Sequence, residues 1–384
     1  MHCVSLLTHK VPKREVQMKI LVDGLPRTMG GIGTLILNIV EYSRSLPNNK
    51  YEFEFLLNGS SQYISYLQKN GFRYYIAPRV KEVHHYRAYL TELFREHQFD
   101  FLWFNNTSKV NIILPILAKR KGGAKLITHT HGVTFEEKGI KGIVFQILNN
   151  LHEREMISLV DIPFACSEQA ADAYYGKDTK IRRKTIIIKN GIVTSKYLFS
   201  HKKRELIREQ VGLAKDEIVL GVVGRLSAVK NYPFAVEVLS HLPKDYRLLI
   251  IGDGEERESL YSLIDEKKLA DRCFMLGKKS NVPDYLCAMD WFLMPSFNEG
   301  MPFSVIEAQA SGLKCLLSDT LSEEMKLTDL VQYASIQDSK KWADVILSDE
   351  TVPNREYYSE EIRLAGYSIE EAFLSFDHAL RASM

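Results

Sequence analysis

The chain has 384 residues, more than one ordinary hydrophobic core supports, so two domains are expected. Hydrophobic residues make up 45% and charged residues 26%, which excludes a disordered chain, and a formal net charge of +2 excludes a whole-molecule attraction to nucleic acid. The five cysteines (Cys3, Cys166, Cys273, Cys287, Cys315) show no CxxC spacing and read as reduced thiols of a cytoplasmic protein, and no apolar run reaches the roughly eighteen residues of a membrane-spanning helix.

Residues 1–17 lack the apolar core and small-residue cleavage site of a secretory signal and read as a flexible extension. The first predicted strand is Lys19 to Val22. A Gly-rich turn follows, Met29-Gly30-Gly31-Ile32-Gly33-Thr34, and then a helical pattern over Ile32 to Ser43. Further strands are expected at Tyr51 to Leu57, Phe101 to Phe104, Lys125 to His129, Ile162 to Ala165 and Thr185 to Lys189. After Asn190-Gly191 the pattern breaks, and residues 196–217 are rich in Lys, Arg and Glu with a helical period. A second series then opens: Ile218 to Val223, Arg247 to Ile251, Arg272 to Met275, Trp291 to Met294 and Lys314 to Leu317, with a helix over Phe234 to Ser240. Strands that alternate with helices and read as continuous apolar runs predict parallel, doubly wound sheets covered on both faces. The α/β chain therefore divides into a domain over 1–195, a second over 196–357 and C-terminal helices over 358–384. In such sheets ligands bind beyond the carboxyl ends of the strands, so motifs at strand ends carry the functional signal.

The most informative motif runs from Pro295 to Gly312, after the strand Trp291 to Met294. Pro302 suits a first helical turn and Gly312 a helix stop. The helix start offers the N–H groups of Met301, Phe303 and Ser304 to an anion. Glu299 precedes that helix. Glu307 lies on it, with Ser304 and Ser311 on the same side by spacing. Two carboxylates around such an anion site can grip the hydroxyls of a sugar and a ribose. Helix capping by Glu299 and solvation of Glu307 is the plainer alternative, disfavoured by the convergence of glycine, proline and strand end.

A second motif, Gly224-Arg225-Leu226-Ser227-Ala228-Val229-Lys230-Asn231, ends the strand that opens the second domain. Arg225 and Lys230 there can converge on a departing diphosphate, or be two surface cations. The turn at Gly31 and Gly33 misses the third glycine of a dinucleotide fingerprint, as does Gly252-Asp253-Gly254, where Arg257 occupies that position. The first turn allows close approach to phosphate, and the second reads as a strand-end turn near the same pocket. His129 and His131 sit two apart at a strand end without an acidic or cysteine cluster, so a metal site is not expected; one histidine facing the cleft is. The chain contains no DxD pair to clamp a divalent cation.

Taken in order, these motifs resemble the retaining GT-B glycosyltransferases of family four, nearest to those of bacterial capsular and exopolysaccharide synthesis. The similarity runs from Met18 to about Asp319 and rests most on Glu299-x7-Glu307 within Pro-Ser-x3-Glu-Gly-x-Pro. It is supported by Gly30-Gly31-Ile32-Gly33, His129-Thr130-His131, Cys166-Ser167, Asn190-Gly191-Ile192, Gly224-Arg225, Lys230-Asn231 and Leu276-Gly277. Asn231 departs from the glycine of many such proteins.

The resemblance implies two Rossmann-like domains facing a cleft, with the C-terminal helices crossing back onto the first. It implies that Arg225 and Lys230 bind the donor diphosphate and that Glu299 faces the donor sugar among the amides of Gly300, Met301, Pro302 and Phe303. Glu307 would hold the ribose, Leu276 would lie near the base, and Gly31 and Gly33 would approach the phosphates. His131, in preference to His129, would stand near the reacting sugar. The implied reaction moves a hexose or N-acetylhexosamine from a nucleotide sugar, by resemblance a UDP-sugar, to a saccharide or lipid-linked saccharide. It keeps the anomeric configuration and uses no metal and no cofactor. A UDP-sugar epimerase on the same fold, or a non-catalytic nucleotide-sugar-binding partner, are the alternatives. The basic cluster Lys119, Arg120, Lys121 and Lys125 beside Ile112 to Leu117 marks a candidate contact with an anionic membrane, or else a solvated helix end.

Overall fold

The computed structural model describes residues 17–27, 30–106, 108–132, 139–177, 179–351 and 353–384. Residues 1–16 of the expected extension, with Cys3, and Met29 of the Gly-rich turn lie outside the described residues.

The first sheet is built from β1 (Met18–Asp23), β2 (Tyr51–Asn58), β3 (Arg73–Ala77), β4 (Phe101–Asn106), β5 (Lys125–Thr130), β6 (Ile162–Ala165) and β7 (Ile186–Ile187). Their spatial order is β3-β2-β1-β4-β5-β6-β7. The second contains β8 (Ile218–Val223), β9 (Tyr246–Ile251), β10 (Cys273–Gly277), β11 (Trp291–Met294), β12 (Lys314–Ser318) and β13 (Val331–Ala334), in the order β10-β9-β8-β11-β12-β13. Every strand pair is parallel. Central strands such as β1 and β8 bury both faces, so their apolar residues are not interleaved with polar ones. The strand order reverses between β1 and β4, and again between β8 and β11. The crevices beyond those two switch points are where an open sheet binds ligands.

Two short edge strands, β3 and β13, carried no sequence signal. β3 exposes Arg73 and Ile76 and has no apolar alternation. The strand expected over Thr185 to Lys189 pairs only at Ile186 and Ile187.

The chain ends in the helix Ile369–Ala382, which packs on the helix Gly31–Ser45 of the first domain. Ser368 caps it by accepting from the Glu371 N–H at 3.2 Å, the start of a Ser-x-x-Glu box. Phe376 is fully buried against Trp103, Phe164 and Tyr51 of the first sheet. Truncating such an aromatic typically costs about 3–5 kcal/mol, so this helix is part of the first domain's core. The return path is fixed where Ile192 and Ser368 bridge, with Ile192 N–H donating to the Tyr367 carbonyl at 2.9 Å.

The basic cluster is only partly free. Lys119 Nζ donates to the Leu159 carbonyl and to Asp161, and Lys125 Nζ donates to the Ser383 carbonyl. Ile112, Leu114 and Leu117 are buried, because this short helix covers the sheet with its apolar side. A cluster of exposed apolar residues lies instead on the helix Gly139–Leu159, where Ile143, Val144, Ile147 and Leu151 are exposed.

Candidate active site

The loops after β8 and β11 build one pocket edge. After β8 the backbone turns at Gly224 with φ 151°, a conformation that side chains resist. A short 3-10 turn, Ala228–Lys230, follows and ends at Asn231 in the left-handed conformation with φ 52°. Asparagine tolerates that conformation better than most residues, which accounts for Asn231 where a glycine was the expectation. The Phe297 N–H donates to the Val229 carbonyl at 2.9 Å and docks the β11 loop on the β8 loop. Glu299 is thereby brought to Lys230, with Nζ and Oε1 2.7 Å apart. A β-carbon on Gly224 would lie 3.4 Å from Lys230 Cε, so the lysine stem packs directly over this glycine.

The same point above Gly224 is 2.9 Å from the Tyr232 hydroxyl. Tyr232 is buried, and its hydroxyl has no hydrogen-bond partner among the described residues. Burial, with the Glu299 charge nearby, pushes its ionisation far up, so it remains a neutral donor. Nothing in the sequence pattern singled out Tyr232; an aromatic at a helix start usually reads as core.

Beyond Glu299 the helix Phe303–Ala310 begins, with Pro302 as its N-cap and no side-chain cap. This corrects the expectation of Pro302 within the first turn: its φ of −72° is helix-compatible, but its ψ of 135° is extended. The helix start still lacks a side-chain acceptor. Gln309 anchors the back of the helix, donating to the Met325 carbonyl and accepting from Leu327 and Thr328. Gly300 is exposed with open space around it, and Met301 is half-buried between two apolar clusters.

Glu307 accepts a 2.7 Å hydrogen bond from the Tyr197 hydroxyl. Burial raises the Glu307 carboxyl above the usual range, and the tyrosine bond opposes that rise. Ser311 does not share a ligand-facing side with Glu307: it is fully buried and donates to the Tyr197 carbonyl. Tyr197 comes from the turn Thr194–Tyr197 in the interdomain segment, so periodicity within the motif could not reveal it.

Arg225 does not join Lys230. Its side chain is 61% exposed and its Nε donates to Glu255 at 3.0 Å, in a solvated pair at the rim. Glu255, one of the acidic residues after Gly252, holds this arginine. Gly252 itself is structural, since a β-carbon there would overlap the Gly224 carbonyl oxygen. Leu276, on β10, is half-buried against the second domain's core.

The first domain meets this edge at two places, through Phe303 and through Asn190. Phe303 packs against the first domain's core, and a β-carbon on Gly31 would lie 3.6 Å from its ring. Asn190 Nδ2 donates to the Met301 carbonyl at 2.7 Å. Asn38 Nδ2 donates to the Gly191 carbonyl. Gly31 opens the helix Gly31–Ser45, whose N-cap Gly30 offers no side-chain acceptor. That helix start, with its exposed N–H groups and positive dipole end, therefore faces the Phe303 helix across the cleft. Gly33 has a different reason to be glycine: a β-carbon there would collide with the Tyr63 hydroxyl.

His131 follows β5 and is half-buried, with Nε2 2.9 Å from Asn105 Oδ1. Burial pushes its pKa down to about 3, so the ring is neutral at physiological pH. His129 is fully buried, stacked on Trp103, and its ionisation is likewise depressed. Among the described residues no group of three or more His, Cys, Asp or Glu side chains is arranged to hold a metal ion.

Residues 203–360 match the family model described as glycosyl transferases, group 1. Over those residues the chain is similar to the group 1 glycosyl transferases. The matched stretch contains β8 to β13 and the Lys230–Glu299 pair. The relatives named over most of the chain are glycosyltransferases too. Putative glycosyltransferase EpsF of Bacillus subtilis is 24% identical over 91% of this chain and 92% of its own length. An Escherichia coli galactosyltransferase acting on GlcNAc-diphosphoundecaprenol is 26% identical over 81% of this chain and 80% of its own. In architecture the chain matches Anabaena HepE, solved with UDP and with UDP-glucose. The UDP complex superposes with a TM-score of 0.77 at 17% identity, over 95% of this chain and all of that one. The fold is thus GT-B, two Rossmann-like domains across a cleft.

Proposed function

We propose that this chain transfers a hexose or N-acetylhexosamine from a UDP-sugar to a saccharide or lipid-linked saccharide in surface-polysaccharide synthesis, with retention of configuration. The observation that carries this reading is the Lys230–Glu299 pair over Gly224, set between two uncapped helix starts. Lys230 and the exposed amides stabilise the diphosphate as it leaves, and Arg225, freed from Glu255, adds a second cation. Glu299 accepts from sugar hydroxyls, and Glu307 from the ribose. Gly31 approaches the phosphates, and Leu276 flanks the base.

The bond from the anomeric carbon to the diphosphate oxygen breaks, and the acceptor oxygen bonds to the same face. Its proton passes to the leaving diphosphate. Glu299 is already paired with Lys230 and is not assigned a covalent role, in contrast to the two-carboxylate route of retaining glycosidases. The charge is balanced by side chains and amides without a metal.

The test is calorimetric binding of UDP, UDP-glucose, UDP-galactose and UDP-N-acetylglucosamine, followed by NMR of the product's anomeric proton, with and without EDTA. Binding of at least one donor, an axial product from an axial donor and indifference to EDTA are expected. Failure of all four to bind, or inversion, refutes it.

The lipid-linked substrate of the E. coli relative, together with the exposed Ile143, Ile147 and Leu151 on one helix, favours docking at a bilayer that presents the acceptor. Sedimentation with anionic vesicles is expected for the wild type and lost in Ile147→Ser with Leu151→Ser. Equal sedimentation of both proteins excludes this face.

A further inference from the structure

We infer that Asn105 fixes the tautomer of His131, placing the proton on Nε2 and leaving Nδ1 as a hydrogen-bond acceptor for a sugar hydroxyl. The second half of this inference rests on the cleft role proposed above for His131. The first half stands on geometry alone.

Asn105 is the penultimate residue of β4, beside the switch point of the first sheet, and is 4% exposed. Its Nδ2 lies 3.0 Å from the Asp23 carbonyl and 3.4 Å from the Trp103 carbonyl. Carbonyl oxygens only accept, so the amide nitrogen must face them and Oδ1 must face the other way. Oδ1 is 2.9 Å from His131 Nε2, and an amide oxygen also only accepts. Nε2 must therefore donate. A neutral imidazole has one proton, so Nδ1 carries the lone pair.

The surroundings keep the ring neutral and the amide in place. His129 lies with its ring 4.2 Å from that of His131, fully buried, with no hydrogen bond at either nitrogen among the described residues. Asp23, on β1, is buried, with its carboxyl pushed up to about 7 and accepting from Asn58. Gly24 follows with φ 98°, and a β-carbon there would overlap the Asn105 carbonyl. The close fit of β1 against β4 thus holds the Asn105 backbone. The His131 N–H donates to the Asn106 carbonyl at 3.3 Å, anchoring the ring's own residue. Asn105 is a positioning residue here: it touches His131 and acts on substrate only through it.

Long-range 1H–15N NMR of the full chain reads the tautomer directly. Wild type is expected to show His131 with a protonated Nε2 and an unprotonated Nδ1 from pH 5 to 8. Asn105→Asp keeps an acceptor of the same shape, so it is expected to preserve the tautomer and to shift the His131 pKa upward. Asn105→Leu removes the acceptor and is expected to give mixed tautomers, with a lower kcat at an unchanged nucleotide-sugar KM. A protonated Nδ1 in wild type, or an unmoved pKa in Asn105→Asp, overturns the inference. The NMR readout does not depend on turnover, so a chain that fails to transfer sugar while showing this tautomer refutes the cleft role and leaves the positioning intact.

Discussion

Lys230 Nζ and Glu299 Oε1 stand 2.7 Å apart, joining two loops that end different strands, and both side chains are about 15% exposed, at 14% and 16%. Without a donor each neutralises the other. In the proposed reaction a diphosphate competes for the lysine, and a sugar hydroxyl for the carboxylate. The pair therefore keeps two desolvated charges in place until the substrate replaces their mutual contact.

Lys230→Ala leaves Glu299 desolvated and uncompensated. The variant is expected to lose about 1–3 kcal/mol of stability and about 100–1,000-fold in kcat. The double variant Lys230→Met with Glu299→Gln is expected to recover the stability and none of the activity. Thermal melts and steady-state kinetics on the three proteins check both effects. Recovery of activity in the double variant would show that neither charge handles substrate.

Gly252 and Gly300 predict opposite outcomes. Gly252→Ala forces a β-carbon into the Gly224 carbonyl at φ 147° and is expected to destabilise the second domain by more than about 2 kcal/mol. Gly300→Ala enters open space and is expected to leave the melting temperature unchanged. Differential scanning calorimetry decides it.

If Glu307 holds the ribose as proposed, donor binding has an acid limb. Its folded carboxyl is raised by burial and held down by the Tyr197 bond. Only the ionised form accepts two ribose hydroxyls, so donor affinity falls as pH drops through the raised pKa. Tyr197→Phe removes the opposing bond, so the loss begins at higher pH than in wild type. UDP titrations between pH 4 and 8 test this; coincident profiles for the two proteins would remove Glu307 from ribose binding.

Asp23 predicts a pH-dependent stability of the opposite sense to most carboxylates. Its folded pKa of about 7 lies above the ordinary aspartate value of 3.8. The folded state holds a proton that the unfolded chain has released, so stability falls as pH rises between those values. Asp23→Asn removes this penalty. It is expected to raise the melting temperature at pH 8 relative to wild type and to have little effect at pH 4.

The parts of this protein legible in its sequence are those encoded locally. Continuous apolar strands such as Ile218–Val223, the glycine that follows it, and Glu299-x7-Glu307 with Pro302 lie within short windows, where hydrophobic period and turn chemistry act on neighbours. Those windows place Lys230, Glu299 and Glu307 near strand ends. They do not say which side chains meet. Arg225 reads like Lys230 in the sequence, yet it turns to Glu255 at the rim while Lys230 is drawn beneath the β11 loop by the Phe297–Val229 hydrogen bond. Gly33 reads like a phosphate glycine and is required by the Tyr63 ring. Tyr197 and Asn105 carry no motif, because their partners lie far away along the chain or on another strand: 110 positions for Tyr197 and Glu307, and 26 for Asn105 and His131. Local sequence sets backbone conformation through short-range sterics and periodic burial. The choice of charge and hydrogen-bond partners depends on desolvation, which exists only once both sheets have closed around the groups.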